Sequence, residues 1–183
     1  MQAPYPQFED LTTIAGVCEV AWTPPADAAS REPALLIEIP HGATRTSDYV
    51  GLRLRLAGAL PQDLEHFFYV NTDIGAPECA EFIAGLLAAA GHGVLILRCC
   101  VPRTFIDCNR VVAGVPGAII DGMTPARASY IREPLDAALL EDLHARYHAL
   151  VDRAYARVCG RGGLGLQLHS YAPRSIGVDR VDD

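Results

Sequence analysis

Apolar residues in this chain fall into short runs separated by polar turns, with one long periodic stripe near the C-terminal end. Leu35-Leu36-Ile37-Glu38-Ile39 is a short apolar run stopped by Pro40-His41-Gly42, which predicts a buried strand ended by a turn. Phe67-Phe68-Tyr69-Val70 predicts a second strand, Val94-Leu95-Ile96-Leu97 a third, and residues 164–168 a last one. Pro77 fits the first turn of a helix, where its missing N–H is not needed. That helix is expected to run through Ala80, Ile83, Leu86, Leu87 and Ala90 and to stop at Gly91. A longer helix is predicted from about Glu133 to Val158. Its stripe of Leu135, Leu139, Leu143, Tyr147, Leu150 and Ala154 follows the helical period, and the glycines between 160 and 163 break it. Residues 22–34 hold three prolines and read as a surface loop, whereas residues 48–60 mix leucines with arginines and leave their type open.

Strands alternating with helices predict an α/β fold, a mainly parallel or mixed sheet flanked by helices. In such sheets ligands bind beyond the carboxyl ends of the strands, so the residues just after each strand carry the most interest.

Composition narrows the function classes. A length of 183 residues suits a single α/β domain over 1–183, and half the residues are apolar, as in a globular core. The net charge of −7 argues against nucleic acid or an anionic membrane as a partner. All 15 basic residues are arginine, which excludes lysine Schiff-base or P-loop chemistry. Six cysteines at 18, 79, 99, 100, 108 and 159 form no Cys-x-x-Cys pair and read as free thiols of a reducing compartment. The N-terminus has no basic region followed by an apolar run, and no stretch approaches the ~20 apolar residues of a membrane helix, so a cytoplasmic protein is expected.

His41 and His169 each follow a predicted strand. If those strands are parallel, both imidazoles lie on one rim, where a catalytic zinc takes three protein ligands and leaves one position open. The alternative is a pair of hydrogen-bonded loop histidines. Asp73 lies just before a helix and is either a third ligand or a helix-entry cap. Asp48 is a further carboxylate candidate. Arg103, Asn109 and Arg110 could grip a substrate carboxylate with paired guanidinium forks; equally, the two arginines could be surface residues, one paired with Asp107. His144 and His148 lie one helical turn apart on the flank of the long stripe, without the acid of a His-Glu-x-x-His motif. No Gly-rich phosphate loop and no Gly-x-Ser-x-Gly elbow is present.

Five motifs occur in an order that resembles the N-formylglutamate amidohydrolase family: Ile39-Pro40-His41-Gly42, Asp73-Ile74-Gly75-Ala76, residues 103–110, Tyr147-His148, and Leu168-His169-Ser170-Tyr171. That family is distantly similar to the zinc carboxypeptidases and aspartoacylases, so the resemblance implies the zinc-dependent exopeptidase (phosphorylase/hydrolase-like) fold. It implies Zn2+ held by His41 and His169, a substrate carboxylate gripped by Asn109, Arg110 and Arg103, and His148 close to the site, as a candidate catalytic residue. The implied reaction is zinc-dependent hydrolysis of an N-formyl or other N-acyl amino acid such as N-formylglutamate, a small-molecule substrate. The pattern departs from the family at Thr44, where relatives carry Glu, at Cys108 in place of Leu, and at Gln167 in place of Asp. Gln167 still offers an acceptor to orient an imidazole. The resemblance also makes the chain short at its C-terminus, with the family's catalytic glutamate beyond Asp183. The alternative expectation is therefore a non-catalytic domain that binds a small carboxylate ligand.

Overall fold

A computed structural model describes residues 10–26, 32–112 and 124–171. Four strands form one mixed sheet in the order β1-β3-β2-β4, with β1 Cys18–Thr23, β2 Pro33–Ile39, β3 Gly93–Cys99 and β4 Leu164–Gln167. β2, β3 and β4 are parallel, and β1 is antiparallel to β3. The helices are α1 Thr46–Arg53, α2 Leu64–Val70, α3 Ala76–Ala89 and α4 Pro134–Val158. No helix among the described residues is long and apolar enough to cross a membrane.

Alternation along the central strands splits the core between two faces. Leu36, Leu95 and Leu97 pack with Leu140, Leu143, Tyr147 and Leu150 of α4, while Ile37, Ile39, Val94 and Ile96 pack with Ala76, Ala80 and Ala84 of α3. Both faces of β3 are covered, which is why its seven residues are all buried and Val94 to Leu97 read as a continuous apolar run. Alanines four apart on α3 let its axis come close to the sheet.

The run at 67–70 is helical, not a strand. Phe68 and Leu64, one turn apart, are buried, whereas Phe67, Tyr69 and Val70 are exposed. The aromatic run carries strand propensity, but burial at i and i+4 is the helical pattern, and tertiary packing decides between them. Phe68 sits 5.1 Å from the ring of Tyr49, which in turn stacks on Phe105 at 5.3 Å. Burying the Phe68 side chain is worth roughly 1.5–3 kcal/mol. The ambiguous stretch at 48–60 resolves into α1, which buries Tyr49 and Leu52. Two expected stripes shift: Leu86 of α3 and Leu135 of α4 are exposed, while Ala84 and Leu140 are buried. β1 was hidden because its residues do not alternate cleanly in polarity, and the loop expected at 22–34 gives its first two residues to β1 and its last two to β2.

Candidate metal centre

The ends of β2, β3 and β4 meet at one rim, because the three strands are parallel. β2 delivers His41 through a tight turn in which the Gly42 N–H donates to the Ile39 carbonyl at 3.1 Å. Glycine is required at 42: a Cβ there would lie 2.7 Å from Arg98 Cγ and 3.0 Å from the Ile39 oxygen. Arg98 of β3 fixes this turn from below, donating to the Gly42 carbonyl at 2.7 Å and pairing with Asp48 at 2.7 Å and Glu19 at 2.8 Å. Asp48 is thus a partner of Arg98 and accepts from the Arg45 N–H at 3.3 Å; it lies outside the ligand cluster.

The loop between α2 and α3 is fastened to the same turn. The Thr72 hydroxyl lies 3.2 Å from the His41 carbonyl and 2.9 Å from that of Ala43, and the Asp73 N–H donates to His41 O at 3.4 Å. Gly75, at φ +86°, caps α3, with Pro77 in its first turn. The Asp73 side chain is therefore not the helix cap. Its carboxylate turns inward, with Oδ2 2.9 Å from His169 Nδ1 and 3.5 Å from His41 Nδ1.

β4 brings His169 alongside. The Leu168 N–H extends the β2–β4 pairing by donating to the Glu38 carbonyl at 2.8 Å, and the two histidine rings lie 5.0 Å apart. One ligand atom from each of His41, Asp73 and His169 lies within 4.8 Å of the others. His41 Nδ1 is buried and has no hydrogen-bond partner, since Asp73 lies outside hydrogen-bond geometry. A buried ring nitrogen left bare is costly unless something occupies its lone pair. Two imidazoles and a carboxylate around that nitrogen are the donor set of a catalytic zinc site, so the residues fit the metal that the sequence suggested.

The other nitrogen of His41 explains Asp107. His41 Nε2 donates to Asp107 Oδ1 at 2.8 Å, and the same oxygen accepts the Asn109 N–H at 2.9 Å. Arg103 Nε and Arg110 Nε lie 2.9 and 3.0 Å from Asp107 Oδ2. Burial works against charge on Asp107, but the His41 hydrogen bond and charge, the Asn109 N–H and the Arg103 guanidinium outweigh it and hold its pKa at about 2. Asp73 is also held low: its burial is outweighed by His41 and His169. On His41, burial opposes the imidazolium, yet the Asp107 bond and the Asp73 carboxylate raise its pKa. A carboxylate behind a histidine fixes the tautomer that leaves the opposite nitrogen bare.

The N-formylglutamate amidohydrolase family model matches residues 33–182. The chain belongs to that family. No curated protein matches it significantly. It is similar to the crystal structure of gene product Atu2144 from Agrobacterium tumefaciens, at 20% identity and a TM-score of 0.46, covering 86% of this chain and 57% of that one. The chain thus spans little more than half the length of that relative.

In this member of the N-formylglutamate amidohydrolase family, a cavity of about 410 Å³ adjoins the histidine pair. Asn109, Arg110, His144, His148, Glu38 and Gln167 line it. Asn109 Nδ2 reaches to 3.5 Å from His169 Nε2, so the cavity and the cluster share a wall. Among the described residues, Arg103 meets Asn109 and Arg110 through Asp107 and does not line the cavity. His144 is buried, and its Nε2–H donates to the Arg110 carbonyl at 2.8 Å. His148 packs against it at 4.3 Å between ring centres, and its Nε2 is buried without a hydrogen-bond partner. The expected set His41, Asp73 and His169 is brought together, and Arg103, Asn109 and Arg110 gather around Asp107. The sequence reading missed Asp107 as the partner of His41, and Thr72 as the clasp between loops. The one available signal was the acid placed between two arginines, and it gives no direction.

Proposed function

We propose that this chain carries the metal site and substrate pocket of a zinc-dependent amidohydrolase that cleaves N-formyl or related N-acyl amino acids such as N-formylglutamate. The observation that carries this reading is the bare, buried Nδ1 of His41 facing Asp73 and His169, with Asp107 behind its other nitrogen. Membership of the N-formylglutamate amidohydrolase family supports the choice of substrate class. His41, Asp73 and His169 would hold the ion. A zinc ion bound there supplies Lewis acidity, which polarises a carbonyl and acidifies water.

The protein's own groups account for the rest. The cavity wall formed by Asn109 and Arg110 offers an amide and a guanidinium to the carboxylate of an amino-acid substrate. Asp107 takes the Nε of both arginines, which fixes their planes and leaves each fork pre-oriented. His148 also lines this cavity, and in this reading it would carry a proton to the leaving amine. Water adds to the formyl carbon, the C–N bond breaks, and the nitrogen takes a proton, giving formate and the free amino acid.

The test is elemental analysis of protein purified without chelators, together with formate release from N-formylglutamate. About one zinc per chain, lost in H41A and in H169A, is the expected result. Absence of zinc in the unmodified protein overturns the metal assignment. Zinc with ligand binding but no formate release would instead favour a non-catalytic carboxylate-binding domain.

A further inference from the structure

We propose that the cavity beside the histidine pair selects N-acyl amino acids with an uncharged side chain, and that the Glu38 carboxylate in its wall disfavours those with a second carboxylate. The inference rests on the amidohydrolase reading above and narrows its substrate class. Glu38 lies on β2, is 4% exposed, and lines the cavity together with Asn109 and Arg110. Three donors hold it. The Tyr147 hydroxyl donates to Oε1 at 2.9 Å, and the Tyr155 hydroxyl and Gln167 Nε2 donate to Oε2 at 3.0 and 3.2 Å. All three donors are neutral, and among the described residues no arginine or histidine pairs with Glu38. Neutral donors fix a buried carboxylate in place without cancelling its charge. Its negative field therefore acts on the cavity, in surroundings that weaken it less than bulk water does.

Positive charge in the wall is scarcer. Among the described residues that line the cavity, Arg110 alone carries a permanent positive charge. Its Nε already faces Asp107 at 3.0 Å, and Arg103, which shares that acid at 2.9 Å, does not line the cavity. The wall thus has one guanidinium to offer, and the α-carboxylate of an amino-acid substrate takes it. Around Glu38 and Arg110 the lining is apolar or neutral, with Val111, Val151, Cys108 and Gln167. A side-chain carboxylate would enter this space with no arginine left for it and with Glu38 of like charge in the wall. An apolar or amide side chain meets neither obstacle. A volume of about 410 Å³ lies in the usual range of small-molecule sites, so size does not separate glutamate from glutamine. The two side chains have nearly the same shape, and charge alone distinguishes them.

The experiment gives the zinc-supplemented full chain N-formylglutamine, N-formylglutamate and N-formylleucine at about pH 8, above the ordinary histidine pKa. Formate release yields kcat/KM, and calorimetry yields Kd. In the unmodified protein both measures are expected to favour N-formylglutamine over N-formylglutamate by about tenfold or more, with N-formylleucine also preferred to N-formylglutamate. E38Q removes the charge and should narrow the glutamine-to-glutamate ratio towards one. V111R, at a half-buried position of the wall, supplies a second guanidinium and should narrow or invert the same ratio. Unfolding curves show whether E38Q still folds; if it does not, the ratios in the unmodified protein and in V111R decide. Equal or better use of N-formylglutamate by the unmodified protein overturns the proposal, as does a ratio unchanged in folded E38Q or in V111R. If no substrate releases formate, the amidohydrolase reading falls and the binding ratios alone decide the selectivity. If none of the three binds, both readings fall.

Discussion

Replacing Asp107 with Asn tests the electrostatic core of the site with almost no change in shape. Asp107 accepts from His41 Nε2 and the Asn109 N–H on one oxygen and faces two arginine Nε atoms on the other. An amide can satisfy only one side. With its oxygen towards His41 and Asn109, its NH2 meets the two guanidinium groups, donor against donors. The depression of the Asp107 pKa from 3.8 to about 2 sets the scale. At about 1.4 kcal/mol per pH unit it corresponds to a contribution on the order of 2 kcal/mol to the metal-free fold. Because the folded pKa is depressed, that contribution is complete above pH 3.8 and disappears as pH falls through about 2. Urea unfolding of metal-free D107N at neutral pH should therefore fall short of the unmodified protein by about 2 kcal/mol. The two should converge in acid, in so far as each remains folded. Zinc affinity should fall about 10- to 100-fold, the usual effect of removing the acid behind a ligating histidine. Equal stability and equal zinc affinity at neutral pH would refute the reasoning.

Three further outcomes follow from other parts of the molecule. G42A should be destabilised by about 1–3 kcal/mol, since its new methyl meets Arg98 and the Ile39 carbonyl; a melting curve coincident with the unmodified protein would contradict that crowding. Burial lowers the pKa of His144, so the unfolded chain takes up this proton first as pH drops below about 6.5. The stability of the unmodified protein relative to H144N should then decline from pH 7 towards pH 5, and a pH-independent difference would argue against it. Zinc at 100 times its dissociation constant should stabilise the protein by about 2.7 kcal/mol, and not the H41A variant, as read by thermal unfolding.

Much of this arrangement was legible from strand ends. His41 and His169 follow apolar runs, and parallel pairing alone brings those ends to one rim. Asp73 was ambiguous because a residue before a helix is a natural cap; only the left-handed Gly75, which takes the capping position itself, releases the carboxylate for the site. Asp107 looked like a partner for a surface arginine because its 66-residue separation from His41 leaves no local trace. The aromatic run at 67–70 misled for another reason. Its intrinsic preference favours a strand, and only the packing of Phe68 against Tyr49 makes one face of a helix the better burial. β1 and the clasp made by Thr72 depend likewise on pairings across the fold.

β4 is four residues long, its side chains are exposed, and among the described residues it pairs with β2 alone. Edge segments of this kind sit at the low end of a protein's local stability scale and open without global unfolding. Yet β4 carries the chain into His169. The ligand cluster is therefore unevenly anchored: His41 follows a central strand, while His169 follows a short edge strand. Exchange of an ion at this site would be paced by the detachment of a sheet edge, and a molecule that secures that edge would slow it without touching a ligand.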